Sequence, residues 1–332
     1  MPNLVSVIIP CYNGEKFIER SIRSVMEQDY RDIELIVVDD GSTDRSKEII
    51  LGLKTKFDNE NRELKYVYQE NTGVGGAVST ALKYVSGDYL TLLDADDRFC
   101  KDSIGKRAGY LSSHPDFAGV RSNGRCISGD RSWLFINDPE TEIREDIFGQ
   151  LIEGTTNNWS GTYMVRTDIL FDIYPDRNIY CSRYGQNLQI LCPVAYGRKI
   201  GYVDEVLVEY IIRNSSLTHG FADSIDNSNG FRDIRLHIID LIFAETDSAK
   251  KSHHITLVDK SYYRQLMNIA IASNDDKLCH EAYSHLSELQ PSLDDKITYY
   301  GKVFPAFSIV LRTIRKAKTI SKGIKKSNDK TN

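Results

Sequence analysis

The run Tyr89-Leu90-Thr91-Leu92-Leu93-Asp94-Ala95-Asp96-Asp97 decides how this chain is read. A mostly apolar stretch of strand-forming residues ends abruptly in three carboxylates within four positions. A buried strand that stops at acidic residues puts hard oxygen ligands at the C-terminal edge of a sheet, where open α/β folds bind ligands. Two carboxylates one residue apart in a turn reach one hydrated divalent cation and leave room for phosphate oxygens. The competing local explanation is a helix cap, with Asp97 accepting from the N–H groups that open the next helix. A lone D-x-D does not separate the two, so the flanking chain must.

The bulk properties narrow the field. At 332 residues, 27% charged and 41% hydrophobic, the chain is composed like a folded globular protein. Its length suits one large domain and a smaller one, which the sequence divides at 1–220 and 221–332. A net charge of -5 argues against nucleic acid as the main partner. The six cysteines are scattered, without C-x-x-C or paired histidine spacing, and read as reduced thiols; Cys11 is given no chemistry. Residues 4–9 are too short and lack the basic flank for a signal peptide. No stretch approaches the roughly eighteen apolar residues of a membrane span. The expectation is a cytoplasmic protein, at most bound at the inner face of the cell membrane.

Working outward, residues 4–9, 33–38, 64–69 and 89–93 are β-branched or apolar runs of strand length, the first stopped by Pro10. Helical spacing separates them over 15–28, 44–56 and 73–85. That alternation predicts βαβ units on a parallel sheet. Further on, the spacing predicts helices over 101–113, 143–153 and 185–197. Strands are predicted over 117–127, 133–138, 162–166, 200–203 and 206–211, with a mostly helical chain from about 225 onward.

Each of the first four strands ends in a polar motif: Pro10-Cys11-Tyr12-Asn13, Asp39-Asp40-Gly41-Ser42, Gln69-Glu70-Asn71-Thr72-Gly73 and Asp94-Ala95-Asp96. In a parallel sheet these ends share one edge, so four loops can line one cleft. The phrases Val-Ser-Val-Ile-Ile-Pro-Cys-Tyr-Asn-Gly (5–14), Glu-Leu-Ile-Val-Val-Asp-Asp-Gly-Ser-Thr-Asp (34–44), Asn-Thr-Gly (71–73) and Gly-Asp-Tyr-Leu-Thr-Leu-Leu-Asp-Ala-Asp-Asp (87–97) together resemble the family 2 glycosyltransferases over residues 4–216. The resemblance implies a GT-A fold: a Rossmann-like nucleotide-binding half, a mixed, mainly parallel sheet flanked by helices, and here a helical C-terminal extension. It also implies inverting transfer from a nucleotide sugar, most simply UDP-linked, with Mn2+ or Mg2+ as cofactor.

Residue by residue, the resemblance implies that Pro10, Tyr12 and Asn13 border the nucleobase, with the Tyr12 ring stacked on it. Asp40 would accept from the uracil N–H, with Asp39 ranked below it because it can equally cap its own turn. Asn71 and Gly73 would hold the ribose or diphosphate. Asp96 would ligate the metal most directly, Asp94 would touch ribose or metal-bound water, and Ala95 lies between them. Arg213 and His219 fall where diphosphate-binding residues are expected, and His219 is the weakest metal candidate. The family's Arg-Asn pair after the glycine is replaced here by Val78-Ser79, which removes a basic donor contact. Gly73-Val74-Gly75-Gly76 looks superficially like a dinucleotide fingerprint, but position 78 is valine and the motif does not follow the first strand.

The acceptor side departs further. Spacing back from Lys199-Ile200-Gly201-Tyr202 puts Gln186 where the resemblance implies a catalytic carboxylate. An amide does not take a proton near neutral pH. Gln186 therefore orients the acceptor while Asp172 or Asp176 acts as base, or no protein base is needed, or the chain is a non-catalytic binding subunit. Trp159, in the 157–161 loop, is either a platform for an acceptor sugar or a loop anchor. Finally Phe304, Phe307, Val310, Leu311, Ile314 and Ala317 repeat at helical spacing among Arg312, Arg315, Lys316, Lys318, Lys322, Lys325 and Lys326. A basic amphipathic tail suits an anionic membrane surface, and with it a polyprenyl-diphosphate-linked glycan acceptor in capsule or exopolysaccharide synthesis.

Overall fold

The computed structural model describes residues 3–58, 62–137, 143–156, 158–212, 224–243 and 247–304. Asn157, Arg213, His219 and the tail from residue 305 lie outside these. The first half alternates β1 (Val5–Cys11), α1 (Ile18–Met26), β2 (Ile33–Asp40), α2 (Ser46–Asp58), β3 (Glu63–Gln69), α3 (Val74–Leu82) and β4 (Tyr89–Leu92). The strands β3-β2-β1-β4 pair in parallel in that order. Every residue of β2 is buried. That follows from burial on both faces: Val7, Ile9, Leu35 and Val37 share a cluster with Ile18, Ile22 and Ile50 of α1 and α2, while Ile8, Ile36 and Val38 alternate to the other face and are equally covered.

A buried carboxylate ties this half together. Glu34, 3% exposed, accepts from Ser6 Oγ at 2.5 Å, Lys65 Nζ at 2.9 Å, and the Ser86 and Gly87 N–H groups at 2.6 and 3.0 Å. It thereby joins β1, β3 and the turn into β4.

Past β4 the chain runs through β5 (Arg98–Phe99), α4 (Ser103–Ser113), β6 (Phe117–Ser128), β7 (Arg131–Leu134), α5 (Phe148–Glu153), β8 (Tyr163–Arg166), α6 (Thr167–Ile173), α7 (Gln186–Ala195) and β9 (Lys199–Ile211). The sheet continues β4-β8-β6-β9-β5 with antiparallel pairs except β6–β9, and β7 adds to β6. Buried Arg107 of α4 donates to the Gly161 and Tyr163 carbonyls at 2.9 Å and to Thr91 Oγ1 at 3.1 Å, fixing the second half of the sheet against β4.

Several boundaries differ from expectation for physical reasons. Pro10 does not stop β1, which pairs through Cys11↔Asp39. Ile8 points its carbonyl toward the β4 side, where it accepts from the Leu93 N–H at 2.9 Å. Two residues on, Pro10 faces the same way past the end of β4, so its missing N–H costs no ladder bond. The two strands predicted over 200–211 are one strand, because the register slip between Ser122↔Val203 and Asn123↔Val206 absorbs Asp204-Glu205 as a bulge. The helix predicted over 143–153 starts only at Phe148, since the Glu145 carbonyl accepts from the Ile200 N–H.

The chain divides into two units. One holds the sheet with its helices and Asp233–Lys251; the other takes the described residues of Gly220–Arg232 and Ser252–Asn332. The described chain from residue 224 forms α8 (Ile225–Ile242), α9 (Ser248–Ser273), α10 (Asp276–Glu288) and α11 (Leu293–Val303), with α8 from Asp233 and α9 up to Lys251 counted in the first unit. Within the second unit, Leu266, Met267, Ala270, Cys279, Ala282 and Leu286 form an apolar cluster, and Arg264 grips Asp295 through two bonds of 2.7 and 3.1 Å.

Candidate active site

The ends of β1, β2, β3 and β4 open onto one cleft of about 990 Å3. Pro10, Tyr12, Asn13, Asp40, Asn71, Gly73, Asp94, Ala95 and Asp96 line it. Tyr12 leaves 56% of its surface exposed, unusual for a ring beside a core strand and suited to stacking. Asn13 takes a left-handed φ of 49°, which asparagine tolerates, and its Oδ1 accepts from the Thr43 N–H at 2.9 Å. That bond locks the first loop to the second. Gly41, at φ 78°, brings the second loop against the third: a Cβ there would lie 2.8 Å from the Asn71 nitrogen.

The two aspartates ending β2 divide their work. Asp39 is 1% exposed, accepts from the Ser42 N–H at 2.9 Å and the Tyr66 hydroxyl at 2.8 Å, and does not line the cleft. It caps its own turn. Asp40 faces the cleft while accepting from the Thr72 and Gly73 N–H groups, each at 2.9 Å, and from Gln69 Nε2 at 2.6 Å. One carboxylate thus fixes the third loop and borders the cavity. Burial pushes the Cys11 thiol up to about 11, so it stays protonated near neutral pH.

The acidic motif is more concentrated than its spacing shows. Carboxylate oxygens of Asp94, Asp96 and Asp97 lie within 4.8 Å of one another. Arg20 donates to the Asp96 carbonyl at 2.5 Å and Ser21 to the Asp94 carbonyl at 3.2 Å, so α1 shapes the turn. Asp97 is not a helix cap, since α4 begins at Ser103 after Asp102. Instead it is 1% exposed, and Oδ1 accepts from the Ile211 N–H at 3.0 Å. Its Oδ2 is buried with no hydrogen-bond partner. Burial first, and the neighbouring Asp94 charge second, hold the Asp97 carboxyl well above the usual carboxylate range. Burial also raises Asp94, partly offset by the Ser160 hydroxyl. An orphaned buried oxygen beside two further carboxylates fits an oxygen-binding divalent cation.

The residues predicted for the acceptor are less closely gathered. Gln186 opens α7, half-buried, and does not line the cleft. Its neighbour Asn187 accepts from the Tyr163 hydroxyl at 3.0 Å. Burial and then the Asp94 charge raise that hydroxyl well above its ordinary value, which marks a short link from α7 to the acidic turn. Asp172 and Asp176 are exposed and line no part of the cleft. Trp159 is 42% exposed and packs on Phe135 at 4.2 Å and Tyr210 at 5.0 Å, and Tyr210 reaches the cleft. Lys16, Arg183, Tyr184 and Tyr210 also line it and carried no local motif. Asp97 was legible only as a cap.

Residues 6–172, about half of the chain, match the model of glycosyl transferase family 2. The chain belongs to this family. A glycosyltransferase of Rickettsia conorii, named only as uncharacterized, is 27% identical over 241 residues, covering 71% of this chain and 37% of that protein. A Bacillus subtilis protein provisionally named for teichuronic acid biosynthesis, the glycosyltransferase TuaG, is 36% identical over 153 residues, covering 46% and 59%. The chain therefore spans well under two thirds of these relatives' lengths. Among solved structures, S. aureus TarS 1–349 in complex with UDP-GlcNAc aligns at TM-score 0.62 and 18% identity, over 90% of this chain and 91% of that one. The mannosyltransferase PcManGT from Pyrobaculum calidifontis, in complex with GDP-Man and Mn2+, aligns at TM-score 0.55 and 17% identity, over 94% and 87%. The family's GT-A fold is thus present, with a helical C-terminal region.

Proposed function

We propose that this protein moves a sugar from a nucleotide sugar, most simply UDP-linked, to a hydroxyl of a glycan or lipid-linked glycan, with inversion. The observation that carries this is Asp94 and Asp96 in the same cleft as the exposed Tyr12 ring and Asp40, with the orphaned oxygen of buried Asp97 clustered behind them. Tyr12 stacks on the base, Asp40 accepts from its N–H, and Asn71 and Gly73 flank the ribose and diphosphate. Asp94, Asp96 and Asp97 would hold Mn2+ or Mg2+, which when bound neutralises charge developing on the departing nucleoside diphosphate. Trp159, through Tyr210, offers an aromatic wall for the acceptor sugar. A surface polysaccharide is the favoured product class, supported by the relative named for teichuronic acid and by the basic tail, which would dock on the inner face of the cell membrane. Among the described residues, no helix is long and apolar enough to cross a membrane.

One alternative is favoured by a specific observation: α7 opens with two amides, Gln186 and Asn187, where the family pattern calls for a carboxylate. The chain would then be a nucleotide-sugar-binding subunit without turnover. Release of UDP from a panel of UDP-sugars, with Mn2+ and with glycan and lipid-linked acceptors, separates the two. Acceptor-dependent release supports the transferase; UDP binding with no release on any acceptor supports the subunit.

A further inference from the structure

Position 78, where the family's basic donor contact is absent, is a valine with 0% exposure in the core of α3. A diphosphate spreads its charge over several oxygens, and a planar guanidinium can pair with two of them at once. The surface that α3 presents instead is a platform. The Gly75 N–H donates to the Ser182 carbonyl at 3.0 Å, and a Cβ on Gly75 would come within 2.6 Å of that same oxygen. Ser79 clasps Ile179 from both directions, Oγ donating to its carbonyl at 3.1 Å and accepting from its N–H at 3.0 Å. The glycines that resemble a dinucleotide fingerprint are there to admit another stretch of backbone, residues 179–183. That docking brings the aliphatic stem of Arg183 over Gly73, where a Cβ would meet its Cγ at 3.7 Å, and Arg183 lines the cleft. Gly73 is in turn held by Asp40.

We propose that Arg183 grips the donor diphosphate, replacing in space the cation that α3 lacks in sequence. The assignment rests on the nucleotide-sugar function proposed above. Arg183 is exposed and sits in a loop, so its replacement leaves the core untouched. It also lies three residues before Gln186, so the segment that holds the diphosphate is continuous with the helix that opens toward the acceptor side. Ser79 is the positioning residue: it touches no ligand and acts by holding 179–183 in place.

The test is titration of UDP and of uridine against the full chain with Mg2+ present. Arg183→Ala is expected to weaken UDP about tenfold or more, with uridine within twofold of its starting affinity, and Arg183→Lys should recover part of the loss. Ser79→Ala should weaken UDP several-fold and spare uridine, with no further loss when combined with Arg183→Ala. UDP affinity unchanged by Arg183→Ala, or an equal loss for uridine, overturns the assignment while leaving the nucleotide-sugar function standing. Fully additive losses in the double variant overturn the positioning role of Ser79. A wild-type chain that binds neither UDP nor uridine overturns the nucleotide-sugar function and this assignment with it.

Discussion

Asp97 is the residue at which stability and function pull apart. A fully buried carboxylate with one unpartnered oxygen, beside Asp94, is destabilising in isolation, since desolvation and like charge both oppose ionisation. The cation proposed for this cluster would compensate it. Asp97→Asn keeps an oxygen that can accept from Ile211 and removes only a group whose ionisation is already opposed, so thermal stability without metal should change by no more than about 1 kcal/mol. UDP affinity in Mn2+ should fall at least about tenfold, ~1.4 kcal/mol, while affinity in a chelator stays the same. Isothermal titration with and without Mn2+ reads both arms; an unaltered metal dependence would remove Asp97 from the cation site. Asp96→Ala should abolish transfer altogether. That Tyr12, Asp40, Asp94 and Asp96 would line one cleft was legible because each sits in a contiguous motif at or just past the end of a strand. Asp97 and Arg183 were not, because a buried orphan oxygen and a loop docked from a hundred residues away leave no local pattern.

Elements were legible where the period was long and both faces buried, as in β1, β2 and β4, and less so where tertiary pairing decided the matter. The two-residue strand β5 exists because Arg98 and Phe99 pair with Glu209 and Val208 of β9, which no window on 98–99 can reveal. Glu34 shows the same dependence, reading as a polar interruption of β2 until Ser6, Lys65, Ser86 and Gly87 converge on it. Burial alone would raise its pKa, but the bonds from Ser6, Lys65 and Ser86 outweigh that and hold the carboxyl below its ordinary value. A depressed folded pKa stabilises fully above the unfolded value of ~4.3 and is lost as pH falls through the folded value. Glu34→Gln should therefore cost about 3 kcal/mol near neutral pH, with the gap to wild type closing on acidification below ~4. Urea unfolding across that range measures it; a gap independent of pH would refute the network. For α3, a Gly→Ala change usually favours a helix by ~1 kcal/mol. At Gly75 the methyl would instead sit 2.6 and 2.8 Å from Ser182 backbone atoms, which have no rotamer to swing away. Gly75→Ala should lower the melting temperature and speed proteolysis within 179–184; a stabilised, equally resistant variant would show that the segment does not dock there.

At the scale of the whole molecule, the parallel pairing of the first half follows from its βαβ alternation, so it could be read in advance. The second half could not, because β6–β9 pairing joins segments about eighty residues apart through a bulge. The helical character beyond residue 225 was visible in the spacing, whereas the assignment of Asp233–Lys251 to the unit containing the sheet depends on contacts that spacing does not encode. What the whole chain adds beyond its cleft is charge asymmetry. Its net charge is -5, yet seven cations fall between Arg312 and Lys326 among apolar residues at helical spacing. A uniformly acidic protein is repelled by anionic lipid, while a basic amphipathic tail gains ~1 kcal/mol per cation near the headgroups plus the burial of its apolar face. The attraction is screened over a Debye length of ~10 Å at 0.1 M salt. Removing residues 305–332 should therefore abolish sedimentation with vesicles containing phosphatidylserine. The full chain should bind those vesicles at low salt, release from them as salt is raised, and ignore vesicles of phosphatidylcholine alone. UDP affinity should be the same in both chains, because among the described residues those lining the cleft lie between Pro10 and Tyr210. Equal vesicle binding by the truncated chain would assign membrane contact, if any, to another surface.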